Sequence, residues 1–150
     1  MKKKILIVGF GSIGKKLLKI LPKKNYFISI LRTKKNIKEN TSYKIFFSVK
    51  EARNYNPDYV FICTSANLHY FYFNKLKDKC KNFFIEKPLT NHKKEIEHFN
   101  KCKLNILIGY FLRFHQPLIY LNKIIRNKIN KIKNVNFEVG FDIKKWRPSR

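Results

Sequence analysis

The stretch of sequence that decides the fold is KILIVGFGSIG, residues 4–14. Residues 5–8 form an unbroken apolar run, which is typical of a central parallel strand covered on both faces. Residues 9–14 follow at once and match the pattern GxGxxG. Apolar residues at helical spacing then continue to Leu21, and Pro22 ends the helix. A strand, a glycine turn and a helix in this order predict the start of a βαβ unit in an α/β protein.

The glycines of this turn have distinct predicted tasks. Gly9 permits a tight turn, Gly11 lets the backbone approach a pyrophosphate, and Gly14 lets the helix pack on the strand. The N–H groups and the dipole at the helix N-terminus favour phosphate groups. We therefore predict a dinucleotide site with contacts from Gly9, Phe10, Gly11, Ser12, Ile13 and Gly14. The alternative interpretation is an ordinary strand-to-helix turn.

The rest of the chain alternates between apolar runs and amphipathic segments. Further strands are predicted at residues 26–31, 43–47, 59–63, 83–85 and 106–108, and helices at 49–55, 67–79 and 90–102. Asn67 is the expected N-cap of the second of these helices, and Thr90 or Asn91 that of the third. This alternation predicts a doubly wound parallel sheet of the Rossmann type over residues 1–112.

The pattern changes after residue 112. Pro117 suits the first turn of a helix whose apolar residues recur at i, i+3 and i+4. Residues 135–142 then alternate between apolar and polar, as in a strand with one buried face. Residues 113–150 are therefore predicted to form a connecting helix and the first strand of a second, α+β domain.

The chain is strongly basic, with 34 Lys and Arg against 9 Asp and Glu and a formal net charge of +25. Most of the excess is lysine, and no segment concentrates arginine with aromatic residues as nucleic-acid grooves do. A solvated basic surface is the preferred interpretation. A basic nucleic-acid-binding module is the remote alternative.

Other features bear on compartment and on metal binding. No apolar run approaches the roughly 20 residues needed to span a bilayer, so no membrane association is predicted. Cys63, Cys80 and Cys102 form no CxxC pair, which agrees with a reducing compartment and a role as core filler. We expect a cytoplasmic protein without a metal site.

The end of the second predicted strand bears on the choice of cofactor. NAD sites of this type carry an acidic residue about 20 positions after the glycines, which binds the ribose 2′-hydroxyl. Here the corresponding residues are Leu31, Arg32 and Thr33. A guanidinium can pair with a 2′-phosphate, so Arg32 and Thr33 favour NADP over NAD. The alternative is that Arg32 is an ordinary surface residue of a basic protein.

Polar side chains also follow three successive predicted strands. Glu86-Lys87-Pro88 follows the strand at 83–85, residues 64–69 (TSANLH) follow the preceding strand, and residues 110–115 (YFLRFH) follow the next one. The carboxyl ends of parallel strands are where α/β sheets place ligand contacts.

Together these residues resemble the Gfo/Idh/MocA family of NAD(P)-dependent oxidoreductases, named after glucose–fructose oxidoreductase and inositol dehydrogenase, which act mainly on sugars and sugar nucleotides. The resemblance is carried by the glycine turn, CTSANLH at 63–69, EKPLT at 86–90, GYFLRFHQPL at 109–118 and WRP at 146–148. It implies that Lys87 stands beside the nicotinamide and hydrogen-bonds the substrate hydroxyl that becomes the carbonyl. A lysine cation there would polarise a ketone or stabilise a developing alkoxide.

The resemblance assigns further residues around Lys87. Glu86 would orient the lysine, and Pro88 would follow a cis peptide bond. The implied cofactor contacts are Thr64, Asn67, His69, Glu86 and Lys87, and the implied substrate-side residues are Arg113 and Trp146. His69 has an alternative as a capping or core residue, and Trp146 as a packing residue.

Members of this family are usually about twice as long, and their second domain supplies an Asp and a His for proton transfer. A positioned acid or base is typically worth ~10² to 10⁴-fold in rate. Two hypotheses follow. One is an oxidoreductase acting on a sugar or nucleotide sugar, working as a homo-oligomer or with a separately encoded C-terminal half. The other is a truncated fragment that binds the cofactor without independent activity.

Overall fold

A computed structural model of the chain describes residues 2–33, 43–126, 128, 131–136, 138 and 140. The chain consists of two compact units, Met1–Tyr110 and Phe111–Arg150. Residues 34–42 and the predicted site residue Trp146 lie outside the described residues.

The first unit is built on a parallel sheet. Its described strands are β1 Lys3–Val8, β2 Tyr26–Leu31, β3 Lys44–Phe46, β4 Tyr59–Ile62, β5 Asn82–Ile85 and β6 Asn105–Ile108. Within the described residues these six strands pair in the order β3-β2-β1-β4-β5-β6, and every pair is parallel. The predicted doubly wound Rossmann sheet is thus confirmed.

The helices of this unit are α1 Ser12–Ile20, α2 Val49–Asn54, α3 His69–Leu76 and α4 Lys93–Lys101, and a 3-10 turn at Ala66–Leu68 precedes α3. The strand order reverses beside β1, which pairs with β2 on one side and with β4 on the other. Such a reversal opens a crevice at the carboxyl ends of the strands, where open α/β sheets bind their ligands.

Strand β1 is the centre of the core, and residues 5–8 are 0–2% exposed. Leu6 and Val8 belong to the larger core cluster, which includes residues of α2, α3 and α4. Ile5 and Ile7 belong to a second cluster, which includes residues of α1. Each of these side chains contributes about 1.5–3 kcal/mol by burial. The unbroken apolar run therefore reflects a strand covered on both faces.

The predicted N-cap at Asn67 is wrong. Asn67 lies inside the 3-10 turn at Ala66–Leu68, and the α-helix begins only at His69. The 3-10 turn takes up the residues that would otherwise form the first turn of the helix.

The predicted start of α4 at Thr90 or Asn91 is also wrong, because the helix begins at Lys93. The Thr90 hydroxyl accepts a hydrogen bond from the His92 backbone N–H and donates one to the Glu95 carboxylate. Thr90 therefore fixes the approach to the helix from outside it.

The second unit contains a 3-10 turn at Phe111–Phe114 and the helix α5, Gln116–Arg126, which corresponds to the helix expected from Pro117. Of the strand expected at 135–142, residues 135, 136, 138 and 140 are described and none is in a strand. The other residues of that segment lie outside the described part of the chain. No helix among the described residues is long and apolar enough to cross a bilayer.

Candidate functional site

The glycine turn joins β1 to α1 at the sheet's reversal point. Gly9 has φ of +90°, a conformation that residues with a side chain rarely adopt. A Cβ atom at Gly9 would also lie 2.9 Å from the Thr64 Cγ2 and 3.0 Å from the Cys63 carbonyl group. The end of β4 therefore closes over this glycine, and Gly9 is required by the chain itself.

Gly14 is required for a different reason. It is buried in α1, and a Cβ atom there would overlap the carbonyl oxygen of Gly9. The helix thus packs directly on the backbone of the turn, as predicted for the third glycine of the motif.

Gly11 is required by nothing in the described chain, because a Cβ atom there would meet no atom within 4 Å. Gly11 is the N-cap of α1, where no side chain caps the helix. The first N–H groups of a helix have no partner within the helix itself, so they are available to an anion. We refer to this open space in front of Gly11 as the cradle.

A cavity of about 250 Å³ adjoins this turn. Among the residues that line it are six of the predicted cofactor contacts, Gly9, Phe10, Gly11, Arg32, Thr33 and Thr64. The structure therefore brings together the glycine turn, the end of β2 and the end of β4. Leu31, Leu68 and Tyr72 complete the lining. Leu68 and Tyr72 were not foreseen, because their position depends on the path of the chain into α3.

The cavity has a basic side at Phe10. The Arg32 guanidinium lies 5.6 Å from the centre of the Phe10 ring, and the Lys15 ammonium lies 5.6 Å from the same centre. The Arg32 backbone N–H donates to the Phe46 carbonyl, which fixes the end of β2 beside β3. None of the described lining residues carries a carboxylate. Lys15, which lies in the first turn of α1, was not among the predicted contacts.

The segment after β5 carries Glu86, Lys87 and Pro88. The Lys87-Pro88 peptide bond is cis, and the Lys87 side chain is exposed. In the described part of the chain, no hydrogen bond or ion pair involves the Lys87 ammonium. The Glu86 carboxylate instead accepts from the Lys87 backbone N–H, at 3.3 Å. Glu86 is therefore placed to hold the lysine backbone rather than its ammonium.

The Glu86 side chain also packs against the end of β6. A Cβ atom at Gly109 would lie 3.0 Å from a Glu86 carboxylate oxygen and 3.0 Å from the Phe84 ring. Gly109 thus leaves the room that Glu86 occupies. The sequence offered no signal for this contact, since the two residues belong to different strands.

Cys63 lies at the end of β4, close to the same carboxylate. Burial raises the pKa of the Cys63 thiol to about 12, and the charge of Glu86 adds to the effect. Burial also raises the pKa of Cys80. At neutral pH Cys63 is a neutral thiol, which fits the predicted role as core filler and not that of a nucleophile.

His69 is buried, with 1% of its surface exposed. Its Nδ1 lies 2.9 Å from the Pro88 carbonyl oxygen and 3.3 Å from that of Leu89, and its Nε2 lies 3.1 Å from that of Thr64. The ring was expected to line the cofactor, yet both of its nitrogens face backbone oxygens. It has almost no surface with which to touch a ligand.

Of the remaining predicted residues, Ser12, Ile13 and Asn67 belong to the first unit and Arg113 to the second. Asn67 is exposed in the 3-10 turn before α3, and Ser12 and Ile13 form the first turn of α1. Arg113 is exposed in the 3-10 turn of the second unit. No cluster of three or more metal-ligating side chains exists among the described residues.

Comparison with known protein families identifies the fold. Residues 3–103 match the model of the GFO/IDH/MocA oxidoreductase family, described as an NAD-binding Rossmann fold. The chain belongs to this family. The comparison with curated proteins found no match.

Several solved structures of dehydrogenases share the fold. Scyllo-inositol dehydrogenase from Lactobacillus casei, with bound NAD(H) and scyllo-inositol, has a TM-score of 0.71 at 21% identity over 89% of this chain and 43% of its own. Myo-inositol dehydrogenase from the same organism, with NAD(H) and myo-inositol, has a TM-score of 0.72 at 20% identity over 86% and 42%. The WlbA dehydrogenase of Thermus thermophilus, with NAD and UDP-GlcNAcA, has a TM-score of 0.71 at 20% identity over 85% and 48%. This chain thus spans less than half the length of each of these structures.

Proposed function

We propose that this Gfo/Idh/MocA chain binds a nicotinamide dinucleotide at the glycine turn and provides the cofactor half of an oxidoreductase for sugars or nucleotide sugars. The observation that carries the proposal is Gly11, which has open space where a side chain would be and the N-terminus of α1 beside it. The chain's own packing needs no glycine there, whereas the close approach of a pyrophosphate does.

Residues at the different strand ends would contact different parts of the cofactor. The turn at Gly9 and Gly11 would hold the pyrophosphate, and Thr64, which adjoins Gly9, would line the path toward the end of β5. When bound, the nicotinamide supplies the acceptor or donor of a hydride. The residues of this chain would orient the nicotinamide and the substrate.

Lys87 is the proposed catalytic residue. It follows β5 on a backbone tied to the Glu86 carboxylate, and its ammonium is exposed to a substrate. A fixed cation at this point would attract the oxygen of a carbonyl or of a developing alkoxide, which lowers the barrier to hydride transfer.

The proposed cofactor preference is NADP over NAD. Its support is the pair of cations at Phe10, Arg32 and Lys15, together with the lack of a carboxylate among the described cavity residues. A guanidinium at the end of β2 suits a 2′-phosphate, whereas a ribose 2′-hydroxyl is usually bound by an acid. The related structures named above contain NAD or NAD(H), so this preference would set the chain apart from them.

The proposed substrate class rests on the relatives. Their bound molecules are inositols and a UDP-sugar acid, all of which carry several hydroxyl groups. A secondary hydroxyl next to Lys87 is the group that would be oxidised.

A second candidate function is cofactor binding without turnover by this chain alone. It is favoured by the state of the titratable groups near Lys87. Both nitrogens of His69 face carbonyl oxygens, and the Glu86 carboxylate accepts from a backbone N–H. Neither group is free to move the proton that accompanies hydride transfer, and that contribution is typically ~10² to 10⁴-fold.

Fluorescence titration of the purified chain with NADPH and NADH tests the primary proposal. Saturable binding is expected, with NADPH the tighter ligand. Failure to bind either nucleotide would contradict the proposal, and binding without turnover of inositols or UDP-sugars would support the second candidate.

A further inference from the structure

We propose that His69 is a positioning residue that locks the Lys87-Pro88-Leu89 segment onto the end of β4 and thereby sets where Lys87 stands relative to the glycine turn. This inference rests on the proposed function, because it concerns the nicotinamide end of the proposed cofactor site. It assigns the histidine a role through the backbone instead of direct contact with a ligand.

The contacts of the imidazole ring join two separate segments. Nδ1 lies 2.9 Å from the Pro88 carbonyl oxygen and 3.3 Å from the Leu89 carbonyl oxygen, both after β5. Nε2 lies 3.1 Å from the Thr64 carbonyl oxygen, just after β4. With 1% of its surface exposed, the ring is enclosed between these two exits.

The His69 ring connects the segments after β4 and β5 just beyond the point where the backbone pairing of these two strands ends. The pairing of β4 with β5 ends at Ile62 and Ile85, followed by one more hydrogen bond from the Glu86 N–H to the Ile62 carbonyl oxygen. Beyond that point the segments that follow β4 and β5 no longer pair as strands. Among the described contacts, the His69 ring is the side chain that bridges the two exits by hydrogen bonding.

The bridge extends to the glycine turn through Thr64. A Cβ atom at Gly9 would lie 2.9 Å from the Thr64 methyl carbon, so the turn and the end of β4 are in close contact. Gly9, Thr64, His69 and Pro88 therefore form a continuous series of contacts across three strand ends. The position of the Lys87 backbone relative to the pyrophosphate cradle depends on this series.

The far side of the segment is anchored as well. Thr90 is hydrogen-bonded to Glu95 in α4 and to the His92 N–H, so Lys87 lies on a short stretch held at both ends. Removing the His69 contacts would release the end nearer the lysine and leave the Thr90 end in place.

Substitution of His69 by asparagine or by glutamine allows the contacts of the two ring nitrogens to be tested separately. Carbonyl oxygens only accept, so a hydrogen bond to one of them needs an N–H on the nitrogen that faces it, and asparagine and glutamine each carry an N–H₂ donor. The Asn amide nitrogen comes close to the position of Nδ1, and the Gln amide nitrogen close to that of Nε2. His69→Asn therefore keeps a donor toward Pro88 and Leu89, and His69→Gln keeps one toward Thr64.

The experiment compares NADPH with 2′-phospho-ADP-ribose, which lacks the nicotinamide, by calorimetric titration of the wild type, His69→Asn, His69→Gln and His69→Ala. For His69→Gln and His69→Ala we expect NADPH affinity to fall by roughly tenfold, the equivalent of one hydrogen bond. Affinity for 2′-phospho-ADP-ribose should change less than twofold in every variant. His69→Asn should weaken NADPH binding less than His69→Gln does, because it loses the Thr64 contact but still holds Pro88 and Leu89 from the start of α3. Hydrogen exchange at residues 86–90 should accelerate in His69→Gln and remain slow in His69→Asn.

If His69→Ala fails to fold, the Asn and Gln variants decide the question. Equal weakening of both ligands, or equal exchange rates in the Asn and Gln variants, would overturn the inference and leave His69 as a general core residue. A wild type that binds neither ligand would instead contradict the proposed function, and in that case the exchange rates alone test the His69 bridge.

Discussion

Gly14 of α1 lies so close to Gly9 that a Cβ atom on Gly14 would overlap the Gly9 carbonyl oxygen. Gly11, between them in sequence, has no such neighbour within 4 Å. The motif therefore contains glycines of two kinds. Gly9 and Gly14 are needed for the fold, whereas Gly11 is needed only if a ligand comes close to the turn. This distinction separates the stability of the domain from its binding function.

Gly14→Ala should destabilise the domain. The new methyl group must push α1 away from the turn, and overpacking of this kind typically costs about 1–3 kcal/mol. Chemical denaturation followed by circular dichroism measures the loss. The matched control is Gly11→Ala, which should cost less than about 1 kcal/mol because only the N-cap preference is affected. Equal losses in the two variants would show that the packing at Gly14 is not as tight as described.

Arg32→Ala should reverse the expected cofactor preference. Hydrogen bonds to a charged group are worth about 1.5–3 kcal/mol, so NADPH affinity should fall roughly 10- to 100-fold. NADH affinity should change little, since NADH has no 2′-phosphate. Titration of both nucleotides at one fixed salt concentration measures the effect. Lys50→Ala, which removes an exposed cation of α2, controls for the general loss of positive charge. Parallel weakening of NADH and NADPH in Arg32→Ala would assign Arg32 to the basic surface.

Lys87→Ala should separate binding from chemistry. The ammonium is exposed and has no partner in the described part of the chain, so its removal should leave fold and NADPH affinity nearly intact. Any turnover of myo-inositol or a UDP-sugar should be lost, because the cation that stabilises the developing alkoxide is gone. Steady-state assays at saturating cofactor test this, with exposed Lys93 of α4 changed to Ala as the control. Undiminished turnover in Lys87→Ala would remove the lysine from the mechanism.

The sheet could be predicted from the sequence because its signals are local. Residues 5–8 and the GxGxxG turn indicate a buried strand and a tight turn from a few consecutive residues alone. The helix starts were harder to predict, since the Thr90 hydroxyl is taken by Glu95 and Asn67 falls in a 3-10 turn.

The site was predictable in outline and not in its contacts. The ends of β4, β5 and β6 lie side by side, as expected of neighbouring parallel strands. The roles of His69, Lys15 and Gly109 depend on which residues from other elements lie beside them. His69 contacts carbonyl groups up to 20 positions away in sequence, and no periodicity or motif encodes that pairing.

The measurement that tests the central claim most directly is NADPH titration of the wild type and Gly11→Val, with the folding of each confirmed by circular dichroism. A Cβ atom at position 11 would meet no atom within 4 Å, so the side chain of Gly11→Val has room to enter the cradle. The variant should remain folded and lose NADPH affinity by more than about tenfold, equivalent to about 1.4 kcal/mol. A folded variant that binds NADPH as tightly as the wild type would contradict the claim that this turn holds the pyrophosphate.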